Sequence, residues 1–502
     1  MFSKILIANR GIIRTNCVQV ARELGAVAAV MSLPGDDFGL GERTADEIYV
    51  LDTKDPAHAY YDREAIAELA VDIYADAIHP GYGFLAQDAL FATELRDRGI
   101  TLIASGLLDD QHSITDKTKV KQIAAELDIP TLKGSSECAT FTEVEEAAAG
   151  IGCPLIIKPL NASGGLGLNV CFEQSKLQRT YDNIKLRLDT AAAACKTVFI
   201  ESFLPQARHI ELPVLRDSFG NIVSLPPLEG SIQRRFRKLI IESPAAFSDD
   251  KLIQQMTVHS CRLVEHLGLV GCLSVEFLYD GNDIYFNEIN GYIQPTHLVT
   301  HAHTGVNLLA QQIKIFAGEK LDITQADINP RGHALGVSIN AEDPENNFIP
   351  STGALNQRFM YSGMGVTVHK TFVEGEKLSS FYEPVLAQLI AVDQTRTQTI
   401  NKLITVLRSY ILEGVKTNIA FIEAILNSAL FRAGKMDSSY IHQPKALKEL
   451  ITVNVDEKEE DIAALLAALT LANDAQTKNS LLQSHSGSLW GKVKQIFNYA
   501  NR

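Results

Sequence analysis

The chain has 502 residues, 46% of them hydrophobic and 21% charged, with a net charge of −14 and a pI near 5.4. That acidic balance argues against nucleic acid or an anionic membrane surface as the main partner. No apolar run approaches the ~20 residues of a membrane helix, so the expectation is a globular protein of roughly three or four domains or subdomains. The opening MFSKILIANRG places an apolar strand at residue 4 and lacks the layout of a signal peptide. The seven cysteines (17, 138, 153, 171, 195, 261 and 272) form no CxxC pair and no metal-ligand spacing. They read as small core residues in a reducing compartment, and the expected location is the cytoplasm.

Residues 4–8 read as a short strand, followed by Asn9-Arg10-Gly11 and a helix to about Leu24, then a second strand over 26–31. A helix over 63–73 leads into a strand at 76–79, the glycine-rich HPGYGFL at 79–85 and a strand at 100–105. This alternation predicts an open parallel α/β domain, in which ligand contacts collect at the C-terminal ends of strands. HPGYGFL sits at such an end, as a ligand loop or simply as a tight turn.

A helix runs from about Lys117 to Leu127, and a second unit begins near Thr131. In it Pro154-Leu155-Ile156-Ile157-Lys158 is an apolar strand ending in a lysine, and Gly164 and Gly165 lie in the glycine-rich stretch just beyond. Glycines let backbone N–H groups approach phosphate, and an ammonium supplies charge. No GK[ST] occurs there, so it is not a Walker loop. The strand 198–204 carries Glu201 to a hinge-like crossing, where an acid either reads an adenine amino group or faces water. Residues 233–238, QRRFRK, form a basic run inside an acidic chain, read as a solvated face or as a phosphate contact.

Ser274–His297 reads as a β-hairpin, because two runs rich in β-branched and aromatic residues flank Asp280-Gly281-Asn282-Asp283. Folding about Asn282 sets Glu276 opposite Glu288, with Asn290 on the face of Glu288. Facing carboxylates repel unless a cation intervenes, and such hard oxygens suit Mg²⁺. The plainer alternative is an exposed hairpin whose acids face water. From Arg331 a strand opens a β-rich unit, with helices at 396–412 and 419–428. Residues 453–460 are strongly charged and read as a linker. Leu489, Trp490, Val493, Ile496 and Phe497 share one helical face, suited to docking on the chain's own core or a partner.

Taken together, IANRG (7–11), HPGYGFL (79–85), Asp116-Lys117, IIK (156–158), ESFL (201–204), RHIE (208–211), QRR (233–235), the Glu276–Asn290 hairpin, RGHA (331–334), INAEDP (339–344) and GVKTN (414–418) resemble biotin carboxylase, an ATP-grasp ligase, in family order. The resemblance implies a multidomain α/β and α+β fold. Its parts would be an open parallel α/β N-terminal domain (1–115), an ATP-grasp domain (116–330) with a mobile lid at about 132–203, a β-rich C-terminal domain (331–445) and a helical tail (446–502). The family's reaction forms carboxyphosphate from ATP and bicarbonate and then carboxylates biotin held on a separate protein or domain. By resemblance Lys117, Lys158, Gly164 and Gly165 would contact the ATP phosphates, Glu201 and Leu204 the adenine, His209 the ribose and Gln233 the phosphate end. Glu276, Glu288 and Asn290 would hold Mg²⁺.

Departures from the family pattern cluster on the acceptor side. Where the family has a bicarbonate-binding arginine and a general-base glutamate, this chain has Tyr292 and Thr296, and Ser338 replaces a further arginine. Phe236 stands for a histidine, Leu166 for a basic residue of the glycine loop, and Asn16 for an arginine at the family's dimer contact. Lys238 and Gln294 remain of the bicarbonate set. A phenol is neutral near pH 7 and a threonine hydroxyl is no base. Three readings follow. One is a degenerate subunit that binds ATP and Mg²⁺ and associates with a biotin carrier or carboxyltransferase, as a homo- or hetero-oligomer. Another is an active biotin carboxylase with a rearranged pocket, with His297, His301 or His303 near the missing base. The last is an ATP-grasp ligase for a different carboxylate. No biotinylation motif occurs, so biotin would come on another chain.

Overall fold

Five short strands that alternate with helices build the first layer: β1 (Lys4–Ile7), β2 (Val27–Ser32), β3 (Glu47–Val50), β4 (Ala77–His79) and β5 (Thr101–Leu102). They are all parallel, in the order β3-β2-β1-β4-β5. The expected strands and the helices Gly11–Glu23 and Arg63–Asp72 are present; β3, whose residues alternate between half-buried and exposed at the sheet edge, had no apolar run to announce it. In this computed structural model the described residues are 1–452 except 35–38, 54, 84, 105–113, 115, 161–166, 191–196, 248, 360–362 and 379–381. Gly164, Gly165, Leu166, Cys195 and the 453–502 tail therefore lie outside the described residues.

The described residues of HPGYGFL, all but Phe84, begin at His79, the last residue of β4, and run on from it, as the motif's position predicted. Asn9, just after β1, donates its side-chain amide to the carbonyls of Pro80 (2.6 Å) and Tyr82 (3.1 Å). Gly81 has φ +65°, and a Cβ there would come within 2.7 Å of the Asn9 amide nitrogen, so only glycine fits the turn.

A three-stranded sheet of β6 (Leu155–Pro159), β7 (Asn169–Cys171) and β8 (Val198–Ser202) stands apart from a nine-stranded one. The larger sheet contains β9 (Arg208–Arg216), β10 (Ile222–Ser224), β11 (Leu228–Arg234), β12 (Arg237–Ser243), β13 (Gly271–Tyr279) and β14 (Ile284–Asn290). It continues through β15 (His333–Asn340) and the strands Val385–Asp393 and Val366–Lys370. Here β12 pairs antiparallel with β15, Ile240 opposite Val337, so one sheet crosses residue 331. The far end is covered by the helices Arg396–Ser409 and Ile419–Asn427, whose Leu403, Leu407, Phe421 and Ile425 pack on Leu335, Val337 and Leu389. Arg396 grips Glu242 of β12 with two hydrogen bonds of 2.6 and 3.0 Å. Residues Met1–Ile451 form one compact unit. None of the described helices is long and apolar enough to cross a membrane.

Candidate active site

The predicted hairpin is β13–β14, and Glu276 lies opposite Glu288 in its register. A third carboxylate joins them, because β9 pairs with β13 on the other side and sets Glu211 opposite Glu276. Three acids thus line up across three adjacent strands. Like charges so placed repel, and the fold answers with lysines from elsewhere in the chain. Lys238, on β12, reaches Glu211 at 2.5 Å and Glu276 at 2.8 Å. Lys117, at the start of the Lys117–Glu126 helix, reaches Glu288 at 2.9 Å.

These pairings set the protonation of the row. Burial opposes charge on Glu288, yet Lys117 beside it holds its carboxyl down at about 2. Burial pushes Glu276 up, helped by Glu288 and Glu211 and opposed by Lys238. Lys238 is pushed up: burial disfavours its charge, but Glu211 and Glu276 outweigh that.

The lid-side lysine takes part in a second ion cluster. Lys158, on β6, lies 2.8 Å from Glu201 of β8 and 3.2 Å from the Asn287 amide oxygen. Glu201 is fully buried and also pairs with Lys121. Burial disfavours the Glu201 carboxylate, but Lys158 and Lys121 hold its pKa below the usual range. Lys121 itself is pushed down to about 8 by burial, with Glu201 opposing. His209 of β9 is near lysines of both clusters: burial pushes it down to about 4, and the charges of Lys238 and Lys158 add to that. Gln233 is opposite Lys238 in the β11–β12 ladder, its amide donating to the Gly230 carbonyl at 2.7 Å. Leu204 lies just past β8, half-buried.

Sequence reasoning missed Lys121, Glu211 and Asn287. Lys121 follows Lys117 by one helical turn, which puts both on one helix face. Glu211 stood inside the RHIE motif without a role. The basic run resolves into separate partners. Arg234 stacks on Phe348 (4.1 Å) and donates to Asn347, Arg235 donates to the Asn347 carbonyl, and Arg237 pairs with Glu383 at 3.0 Å.

On the acceptor side Tyr292 is buried, and burial pushes its phenol up, so it is neutral. Thr296 is buried and its hydroxyl donates to Glu211 at 2.6 Å. Ser338 is buried on β15, where its carbonyl accepts from the Asn418 amide at 3.1 Å. Asn16 is turned inward as well, 3.1 Å from the His369 ring.

Among the described residues no three His, Cys, Asp or Glu side chains converge as a metal-binding group. Two ionisable carboxylates in register, with Asn290 one strand-face repeat beyond, still match what Mg²⁺ asks of a protein when substrate and water supply the other oxygens. The donor set fits the ion.

A cluster of lysines and acids lies where the three-stranded sheet, through Lys158 and Glu201, meets the large sheet, beside a parallel α/β layer. Comparison with known proteins identifies the family. The family profile "Biotin carboxylase, N-terminal domain" matches residues 1–106, "Carbamoyl-phosphate synthase L chain, ATP binding domain" matches 116–324, and "Biotin carboxylase C-terminal domain" matches 337–443. A pyruvate carboxylase subunit of Methanothermobacter thermautotrophicus is 36% identical over 445 residues, covering 88% of this chain and 90% of that protein. Biotin carboxylase 1 of Bacillus subtilis is 33% identical over 448 residues, covering 88% and 98%. Among solved structures, the biotin carboxylase domain dimer of Hydrogenobacter thermophilus 2-oxoglutarate carboxylase, in complex with MgADP, ADP and bicarbonate, superposes with a TM-score of 0.84 at 31% identity. That match covers 89% of this chain and 99% of the other. The chain belongs to the biotin carboxylase family, with its ATP-grasp fold.

Proposed function

We propose that this chain binds ATP with Mg²⁺ in the cleft between the lid sheet and the large sheet and does not carboxylate biotin, acting as a degenerate subunit of a biotin-dependent carboxylase. Lys117, Lys158 and Lys121 supply positive charge for the phosphates, His209 stays neutral beside them, and Glu276, Glu288 and Asn290 hold the ion. When bound, Mg²⁺ would neutralise phosphate charge. Gly164 and Gly165 are assigned to the phosphates by resemblance alone.

The observation that carries the reading is the state of Lys238. Its ammonium is already shared between Glu211 and Glu276, and the cation and base expected beside it are the neutral Tyr292 and a threonine that donates to Glu211. Removing one electrostatic stabiliser costs ~10²–10³ in rate, and removing a general base ~10²–10⁴. Relatives that are subunits of pyruvate and 2-oxoglutarate carboxylases support a carboxylase assembly as the setting.

The test is ATP binding and hydrolysis with Mg²⁺ and biotin in CO₂-depleted buffer, with and without added bicarbonate. Bound nucleotide with no bicarbonate stimulation is the expected result. Stimulated turnover would establish instead an active carboxylase with a rearranged pocket.

A further inference from the structure

The carboxylate of Glu201, on β8, is wholly buried, and two lysines reach it from different parts of the fold. Lys158 comes from the neighbouring strand β6 and lies 2.8 Å from one carboxylate oxygen. Lys121 comes from the Lys117–Glu126 helix and takes the other oxygen. Both lysine side chains are themselves about nine-tenths buried, at 12% and 11% exposure. One carboxylate needs one counter-ion. Lys121, pushed down to about 8, is still mostly an ammonium at pH 7, so the trio carries one surplus positive charge. A surplus charge held out of water is unfavourable by itself and favours an anion beside it.

The two lysines are not equivalent. Lys158 also lies 3.2 Å from the Asn287 amide oxygen, on the large sheet. Asn287 is the extra residue of a β-bulge in β14, between the Glu276–Glu288 and Phe277–Phe286 pairs, and a bulge re-aims a side chain. The charge of Lys158 also acts on Glu288 and on His209. Lys158 therefore has partners on both sheets and sits beside the carboxylates assigned above to Mg²⁺. Lys121 hydrogen-bonds Glu201. It is rooted one helical turn after Lys117, which is itself committed to Glu288.

We infer that Lys121 is a positioning residue: it balances the charge of Glu201 so that Lys158 is free to leave for a nucleotide phosphate. The inference rests on the nucleotide-binding reading above and deepens it. Without Lys121 the trio is neutral, and Lys158 is the remaining lysine on Glu201. Each move of Lys158 toward phosphate would then strand a wholly buried carboxylate. Stranding a buried charge is strongly unfavourable, so phosphate would compete with Glu201 for one lysine. With Lys121 in place the carboxylate keeps a partner throughout. Lys121 thus adds its charge to the phosphate site through Glu201 and not by touching phosphate itself.

The experiment is a double-mutant cycle on the full chain, read by calorimetric titration of a non-hydrolysable ATP analogue with Mg²⁺ at pH 7. Lys121→Met should weaken binding at least ~10-fold in the parental chain. The same change in a Glu201→Gln background should cost less than ~3-fold, because there the charge that holds Lys158 is gone. Thermal unfolding of each variant confirms that folded chain is titrated. If Lys121→Met does not fold, Lys121→Gln, uncharged but still able to donate to Glu201, replaces it with the same expectation. No loss in the parental chain would overturn the positioning role and leave the nucleotide-binding reading intact. An equal loss in both backgrounds would do the same, since a direct phosphate contact or a packing role does not depend on the charge of residue 201. Absence of analogue binding by the parental chain would overturn both.

Discussion

The ammonium of Lys238 touches two carboxylates, and Tyr292 and Thr296 bring no further charge to relieve it. Thr296→Glu alone would set a new carboxylate against Glu211, whose partner the Thr296 hydroxyl now is. It should lower stability by ~1–3 kcal/mol, seen in the urea midpoint. The pair Tyr292→Arg with Thr296→Glu adds cation and base together and should gain bicarbonate-stimulated ATP hydrolysis that neither single variant shows. If the pair stays unresponsive to bicarbonate, the loss lies elsewhere, with Ser338 the next position to restore. Lys121 offers a separate test. Lys121→Met leaves buried Glu201 with Lys158 as its remaining lysine. Because one counter-ion survives, the cost should fall below the full penalty of an orphaned charge, at ~1–3 kcal/mol by urea denaturation.

At the level of elements, turn chemistry decided what could be read in advance. Asp280-Gly281-Asn282-Asp283 announced the β13–β14 turn, and with it the Glu276–Glu288 pairing. The β11–β12 turn was not announced. It is made by Arg235 and Phe236, both with positive φ (50° and 62°), the backbone of a two-residue hairpin loop that prefers Asn-Gly. Phe236→Gly removes a strained left-handed side chain and should leave stability unchanged or raise it by up to ~1 kcal/mol. Phe236→Val, β-branched in the same conformation, should lower it by at least ~1 kcal/mol. Equal midpoints for the two variants would show that backbone strain at 236 is unimportant. The helix Lys117–Glu126 was legible as a helix, but only packing revealed that Lys117 and Lys121 reach two different acids.

Among the described residues of the whole molecule, five histidines (79, 209, 297, 303 and 369) are held neutral, with pKa values pushed down to about 3 or 4, chiefly by burial. Unfolded, each would titrate near ~6.5. Between those values the unfolded chain binds more protons than the folded one, so stability is full above about pH 6.5 and falls as pH drops toward 4. Urea midpoints at pH 7.5, 6 and 5 should decline, and His297→Gln should flatten the decline; a constant midpoint across that range would contradict it. Hydrophobic alternation, turn residues and ordered motifs were enough to place β1, β2, β4, β6, β8, the hairpin and the family, because those signals act over a few neighbouring residues. They also located the replaced positions 292, 296 and 338. Only the tertiary structure showed that Glu211 joins the acid row and that Lys238 is already taken. Those facts depend on β13, β9, β11 and β12 following one another across a single sheet, and charges balance across space between residues that no sequence window holds together.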